Sequence, residues 1–148
     1  MKHFLLVVMM FLPFSVMADI PEFNTLADKY AVNNSVMVTT IDRDMIALFA
    51  GEMEELDMVD KILVILAEEP TLGKAIVEES KAIAKRANAE RLIDASNDGT
   101  DVEVYVLKDG EMITDIIVII ADDNQMGASV ISGRIKPENL GKLIQVQM

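Results

Sequence analysis

No cysteine and no tryptophan occur in the 148 residues, and histidine occurs once, at His3. Without cysteine there is no disulfide, no thiolate metal ligand and no acceptor for an N-terminal lipid. Without histidine beyond His3, Ser-His-Asp and Cys-His nucleophile arrangements cannot be assembled in the body of the chain. Zinc or copper sites built on imidazole or thiolate are excluded for the same reason. Basic residues are scarce: 13 Lys and Arg stand against 25 Asp and Glu, a net charge of −12. Nucleic acid needs Lys and Arg to neutralise its phosphates, and anionic membrane surfaces attract the same residues. The composition therefore argues against both as partners. The chemistry that remains is that of carboxylates, oxygen-ligand cations and lysine, and no cofactor is expected.

What is present begins with an N-terminal segment of secretory character. Lys2 is a short positive region, Phe4 to Phe14 an apolar one, and Ser15-Val16-Met17-Ala18 places Val at −3 and Ala at −1 of a cleavage site. The apolar run is shorter than the roughly 20 residues a bilayer core requires. Residues 1–18 thus read as a cleavable signal peptide, with retention as an interfacial anchor the alternative. Residues 19–148 are then one domain with no integral membrane segment, soluble in the periplasm or outside the cell. Cleavage removes His3 and, of the charged residues, only Lys2.

Patterning within the domain predicts an α+β fold in the order αβαβαββββα: two layers, a mainly antiparallel sheet packed against helices. Asp19 is placed to cap a first helix whose stripe is Phe23, Leu26, Ala27 and Tyr30. Ser35 to Ile41 is a β-branched strand. Asp42 caps a short helix with Met45, Leu48 and Phe49 inward and Gly51 as its stop, and Glu52 to Asp57 is an acidic loop. Ile62 to Leu66 is an apolar strand. Pro70 opens the longest helix, to about Asn88, with Leu72, Ala75, Ile76, Ile83 and Ala87 on one side. Strands follow over Glu90–Ala95, Val102–Leu107, Met112–Ala121 and Gln125–Ile135, separated by Asn97-Asp98-Gly99, Lys108-Asp109-Gly110-Glu111 and Asp122-Asp123-Asn124. Pro137 starts a last helix with Leu140, Leu143 and Ile144 inward.

From about Phe23 to Ile144 this order of segments resembles an exported family of Bacteroidota known only as domain of unknown function 4252. The resemblance rests on Val36–Ile41 followed by Met45–Phe49, and on Ile62–Leu66 running into Glu68-Glu69-Pro70. It rests further on Val102-Glu103-Val104-Tyr105, Lys108–Glu111, Ile116–Ile120 and Pro137–Leu140. It implies small envelope or secreted proteins, many of them lipid-anchored, and brings no activity or catalytic residue. The missing cysteine departs from the lipid-anchored pattern.

Four clusters invite a functional reading. Asp94, Ser96 and Asp98, with Gly99, match the first half of a calcium loop. The closing position holds Tyr105 instead of a bidentate Glu, and a plain hairpin turn accounts for the same residues. Asp122 and Asp123 with Asp115 or Glu111 offer an acid–base pair for glycoside hydrolysis, or are solvated turn residues in an acid-rich chain. Lys81, Lys85, Arg86 and Arg91 form a basic cluster for an acidic partner, or complement the end of the long helix. Finally, Ile116 to Ile120 is apolar at every position, so both faces of that strand are apolar. If helices cover one face, then Ile116, Val118 and Ile120, with Tyr105 from the neighbouring strand, form an apolar interface on the other. A further layer covering that face is the alternative.

The reading that follows is an exported, non-catalytic binding or interaction domain that self-associates through an apolar sheet face. Its partner would be an envelope or extracellular protein, or a second copy in a homodimer. A carboxylate-dependent hydrolase and a carrier of a small apolar ligand are the alternatives.

Overall fold

The computed structural model describes residues 20–50 and 58–140. The chain runs α1 (Pro21–Ala31), β1 (Val36–Ile41), α2 (Arg43–Ala50), β2 (Val59–Ala67), α3 (Pro70–Arg86), β3 (Glu90–Asn97), β4 (Thr100–Asp109), β5 (Met112–Ala121) and β6 (Met126–Ile135), then a 3-10 turn over Pro137–Asn139. The six strands form one sheet in the order β1-β2-β6-β5-β4-β3, antiparallel at every pairing. The expected α+β class and the element order from α1 to β6 are observed; most of the expected last helix lies outside the described residues.

The longest connection runs through α3, which carries the chain from β2 to the far edge at β3. Its 17 residues span about 25 Å at 1.5 Å per residue. Four inter-strand spacings amount to about 19 Å, so one straight helix suffices for the crossing. Its start is capped by Glu69, which accepts hydrogen bonds from the Thr71 and Leu72 amides at 3.0 and 2.7 Å and follows the Pro-first pattern. It ends at Arg86, two residues before Asn88, which takes a left-handed φ of 59°.

α1 and α3 lie side by side on one face of the sheet. Phe23, Leu26 and Tyr30 of α1 and Ile76 and Ile83 of α3 pack on Leu63, Ile65, Ile117, Ile119 and Val130. Charges clamp the two helices at their rims: Lys29 Nζ meets Glu79 Oε1 at 2.6 Å, and Arg86 Nη2 meets Glu22 Oε2 at 2.6 Å. The reverse face carries a second core of Val59, Val104, Val106, Ile113, Ile116, Val118, Ile131 and Ile135, with Ile46 of α2 against it.

Some local expectations are corrected. Ile20, not an acid, occupies the cap position of α1, with no side-chain bond; Asp19 lies outside the described residues. In α2 Ile46 is turned inward, 3 % exposed, whereas Met45 and Leu48 face solvent; the Phe49 side chain lies outside the described residues. Asp42 does cap the helix, accepting from the Met45 amide at 3.0 Å. Arg43 then reaches Asp60 at 2.6 Å, and these two anchors set the rotation of so short a helix. α3 buries Gly73, Ile76, Val77, Ser80, Ile83 and Ala84, a stripe turned from the expected one toward small residues. At Gly73 an added Cβ would stand 2.7 Å from Met126 Cβ, so the helix rides close to β6. Gly51, the acidic loop over Glu52 to Asp57, Leu143 and Ile144 lie outside the described residues.

Two positions report on this packing. A Cβ at Gly127 would collide with the Ile65 carbonyl of β2, so Gly127→Ala is expected to cost about 1–3 kcal/mol. Ser80 is fully buried with no hydrogen-bond partner for its hydroxyl, so Ser80→Ala is expected to raise stability by about 1 kcal/mol. Urea denaturation of both variants beside the wild type checks each sign.

Candidate functional site

The strand registers decide which side chains share a face. Across β4 and β5, Val106 opposes Ile116, Val104 opposes Val118 and Val102 opposes Ile120. Across β5 and β6, Ile116 opposes Ile131, Val118 opposes Ser129 and Ile120 opposes Gly127. Ile116, Val118 and Ile120 are therefore together on the face opposite α1 and α3. Tyr105 is not with them. It opposes Ile117 and packs on the helix side. The cause is a bulge: Lys108 pairs with Ile113 but Leu107 pairs with Asp115, leaving Thr114 as the extra residue. A one-residue slip exchanges faces. Ile116 and Val118 are fully buried, and Ile120 is half-buried toward the strand end. Ile46 and Leu140 are among the residues packed on this core.

Tyr105 instead joins a charged node. Its hydroxyl donates to Glu103 Oε1 at 2.9 Å, Lys81 Nζ of α3 lies 3.1 Å from Glu103 Oε2, and Arg91 of β3 lies 3.4 Å from Glu103 Oε1. Burial pushes the Glu103 carboxyl up, but the hydrogen bonds from Lys81, Tyr105 and Arg91 and the Lys81 charge outweigh it and hold it below the usual range. Its partners respond in kind: the Glu103 hydrogen bond raises Lys81, and burial followed by that bond raises Tyr105. The node fastens α3 to β4 as the Lys29–Tyr30–Glu79 group fastens it to α1.

This placement bears on the other clusters. Of the basic residues, Lys81 and Arg91 meet Glu103, Arg86 meets Glu22, and Arg91 also meets Asp94 at 3.4 Å. The cluster is thus largely neutralised by the chain's own acids. Asp94 and Ser96 lie on β3 and Asp98 on the loop of a tight hairpin, with Asp98 and Gly99 at positive φ. Ser96 donates to Asp101, and Asp94 faces Arg91. Among the described residues no group of three acids is arranged to hold a metal ion. Asp122 accepts from the Asn124 and Gln125 amides, both at 2.7 Å, and so builds its turn. It is separated from Asp115 by most of β5, roughly 20 Å or more at 3.3 Å per residue. Glycosidase carboxylates stand about 5–9.5 Å apart. Two grooves, of about 660 Å3 beside Met37, Leu66 and Glu69 and about 340 Å3 between α1 and α3, are open to solvent, unlike the enclosing sites of apolar ligands.

Two features escaped the sequence reading. One is a polar file on the helix side of the sheet: Lys61, Ser132 and Asp115 are successive cross-strand neighbours on β2, β6 and β5. Lys61 donates to Asn24 of α1 at 2.8 Å, and Asp115, 2 % exposed, accepts from Ser132 at 2.7 Å and Thr114 at 3.0 Å. An acid inside an Ile-rich strand was the available signal. The other is the exposure of β3 at every one of its 8 residues although all but Leu92 are paired to β4. Leu92 and Ile93 are 40 % and 37 % exposed there.

The family model for a domain of unknown function (DUF4252) matches residues 30–143, which takes in every strand and the charged node. No curated protein and no solved structure matches the chain.

The node makes a pH prediction. A carboxyl held below its ordinary value of 4.5 when folded contributes stability that is fully present above that value and is lost as pH falls through the folded value. Glu103→Gln should therefore be less stable than wild type at pH 7, with the gap closing below about pH 4.5. Melting curves of both proteins between pH 7 and pH 3 measure the gap.

Proposed function

The chain belongs to the DUF4252 family, and we propose that it is an exported, non-catalytic interaction domain that engages its partner by strand addition at β3. The carrying observation is that edge strand. All eight residues are exposed, the peptide groups not bonded to β4 and the side chains of Leu92 and Ile93 face the surroundings, and an extended segment laid along such an edge gains main-chain hydrogen bonds. Next to it the apolar reverse face continues through Val104, Val118 and Ile131. A partner strand would extend that face outward from Ile93. Ile116 and Val118 act in this reading as the packed base of the surface, with Ile93 and Ile120 nearer its rim.

Export is part of the proposal. It draws on the apolar segment Phe4–Phe14 and the Val16 and Ala18 pair of the cleavage site, with the periplasm or exterior as destination. No described helix is long and apolar enough to cross a membrane. The acidic surface, −12 overall, keeps an interaction domain dispersed. An envelope or extracellular protein is the expected partner class.

The test places a photo-crosslinking residue at Asp94 on β3 and, separately, at Asp28 on α1, in the full chain expressed in its native host. A discrete adduct from the β3 position, absent from the α1 position, is expected, together with a mature chain whose mass begins at Asp19. No adduct from either position, or equal adducts from both, removes the strand-addition reading.

A further inference from the structure

The register of β3 decides which of its peptide groups face outward. Asn97 and Thr100 close the two-residue loop Asp98-Gly99, whose φ angles of 50° and 84° are those of the tight hairpin turn. The pair closing such a loop exchanges both backbone bonds, and bonded and non-bonded pairs alternate from there. Asn97, Ala95 and Ile93 therefore bond inward to β4, and Asp94 and Ser96 direct their N–H and C=O groups out of the sheet. The bulge between Arg91 and Ile93 limits the regular stretch to Ile93–Asn97. Among the described residues no strand lies beyond it.

We infer that the occupant of this edge is a second copy of the chain, with β3 antiparallel to β3 about a two-fold axis at Ala95. The inference rests on the strand-addition reading and names its partner. A two-fold edge pairing matches residues of one face, so within the regular stretch it centres on Asp94, Ala95 or Ser96. Centring on Asp94 sets that carboxylate against its own copy in a protein of net charge −12, and like charges directly opposite are destabilising. Centring on Ser96 sets Asp94 against Asp98, which is a second like-charge pair and lies in the left-handed loop.

Centring on Ala95 opposes Asp94 with Ser96 at both ends. Each such pair exchanges two backbone bonds, and no carboxylate of β3 stands directly opposite another. At the axis Ala95 meets Ala95 in a non-bonded pair, where Cα atoms stand about 4.5 Å apart, and the methyl groups leave that approach clear. Ala95 and Ile93 both lie on the apolar reverse face, opposite Val102 and Val104. Two copies thereby join their second cores across the axis, and the exposed edge of each Ile93 is covered. Strand β3 is thus complementary to itself in one register, which favours a second copy over a foreign strand.

The absence of cysteine makes the test direct. Ala95→Cys is oxidised in the otherwise native mature chain, with Asp28→Cys on α1 as control. Pairing predicts a disulfide dimer forming roughly a hundredfold faster at Ala95→Cys. That is the ratio of a millimolar effective concentration to about 10 µM free protein. Light scattering of the wild type should give twice the chain mass. Ala95→Lys, a change at an exposed site, should give the monomer mass with an unchanged circular dichroism spectrum. A monomeric wild type, or equal oxidation rates at the two cysteines, overturns the inference. If that occurs while the β3 crosslinker still captures a protein of another mass in the host, strand addition stands and only the second copy fails. If the crosslinker also captures nothing, both fail.

Discussion

A strand with Ile or Val at five successive positions cannot leave either face of its sheet in water, and the fold is organised around that demand at β5. Its odd-numbered residues Ile117 and Ile119 and its even-numbered residues Ile116 and Val118 are all at most 2 % exposed. Burying an Ile or Val side chain is worth about 1.5–3 kcal/mol, so neither face can be neglected. α1 and α3 answer the demand on one side, and the second core around Val104, Ile131 and Ile46 answers it on the other. Most charged groups are then driven to rims and ends. The Glu79 and Glu103 clamps sit where α3 leaves the apolar floor, and the one buried carboxylate among the described residues, Asp115, accepts from two hydroxyl donors.

The class of fold was legible because its signals are local. Pro70 after Glu69, the run Met112–Ala121 and the turn residues at Asp98-Gly99 and Gly110 each act within a few residues, and each element appears where its signal stands. The faces were legible only in part. Tyr105 reads as a neighbour of Ile116 if the hairpin is regular, and the extra residue Thr114 moves it to the other side. Nothing in the composition of Lys108–Asp115 announces that bulge. The rotation of α2 is a second case: Met45, Leu48 and Ile46 are all apolar, and the tie from Arg43 to Asp60 chooses among them. That tie is a contact between distant residues, to which periodicity is blind.

Charge clusters were the least informative part of the sequence, and the structure shows why. In a chain with nearly two acids for every base, most bases find an acid on folding, and Lys81, Arg86 and Arg91 each do. The acids that remain cap helices and turns, as Glu69 and Asp122 do. What sets β3 apart is not charge but position: it is an edge strand whose residues are all exposed, and among the described residues no layer covers either of its faces.

The strand order also sets a timetable for assembly. β3 to β6 form three successive hairpins, each closed by a short loop, so they can form from nearby residues. β2 has no such freedom: its central partner is β6, with Leu63 against Val130 and Ile65 against Ala128. Loop closure over that distance is slow. A chain that emerges from its amino end therefore carries Ile62–Leu66 with β1 alone to pair with until β6 is made. The N-terminal third of this protein is completed by residues near its C-terminus, and a chain truncated before Met126 would hold two apolar strands with nothing between them.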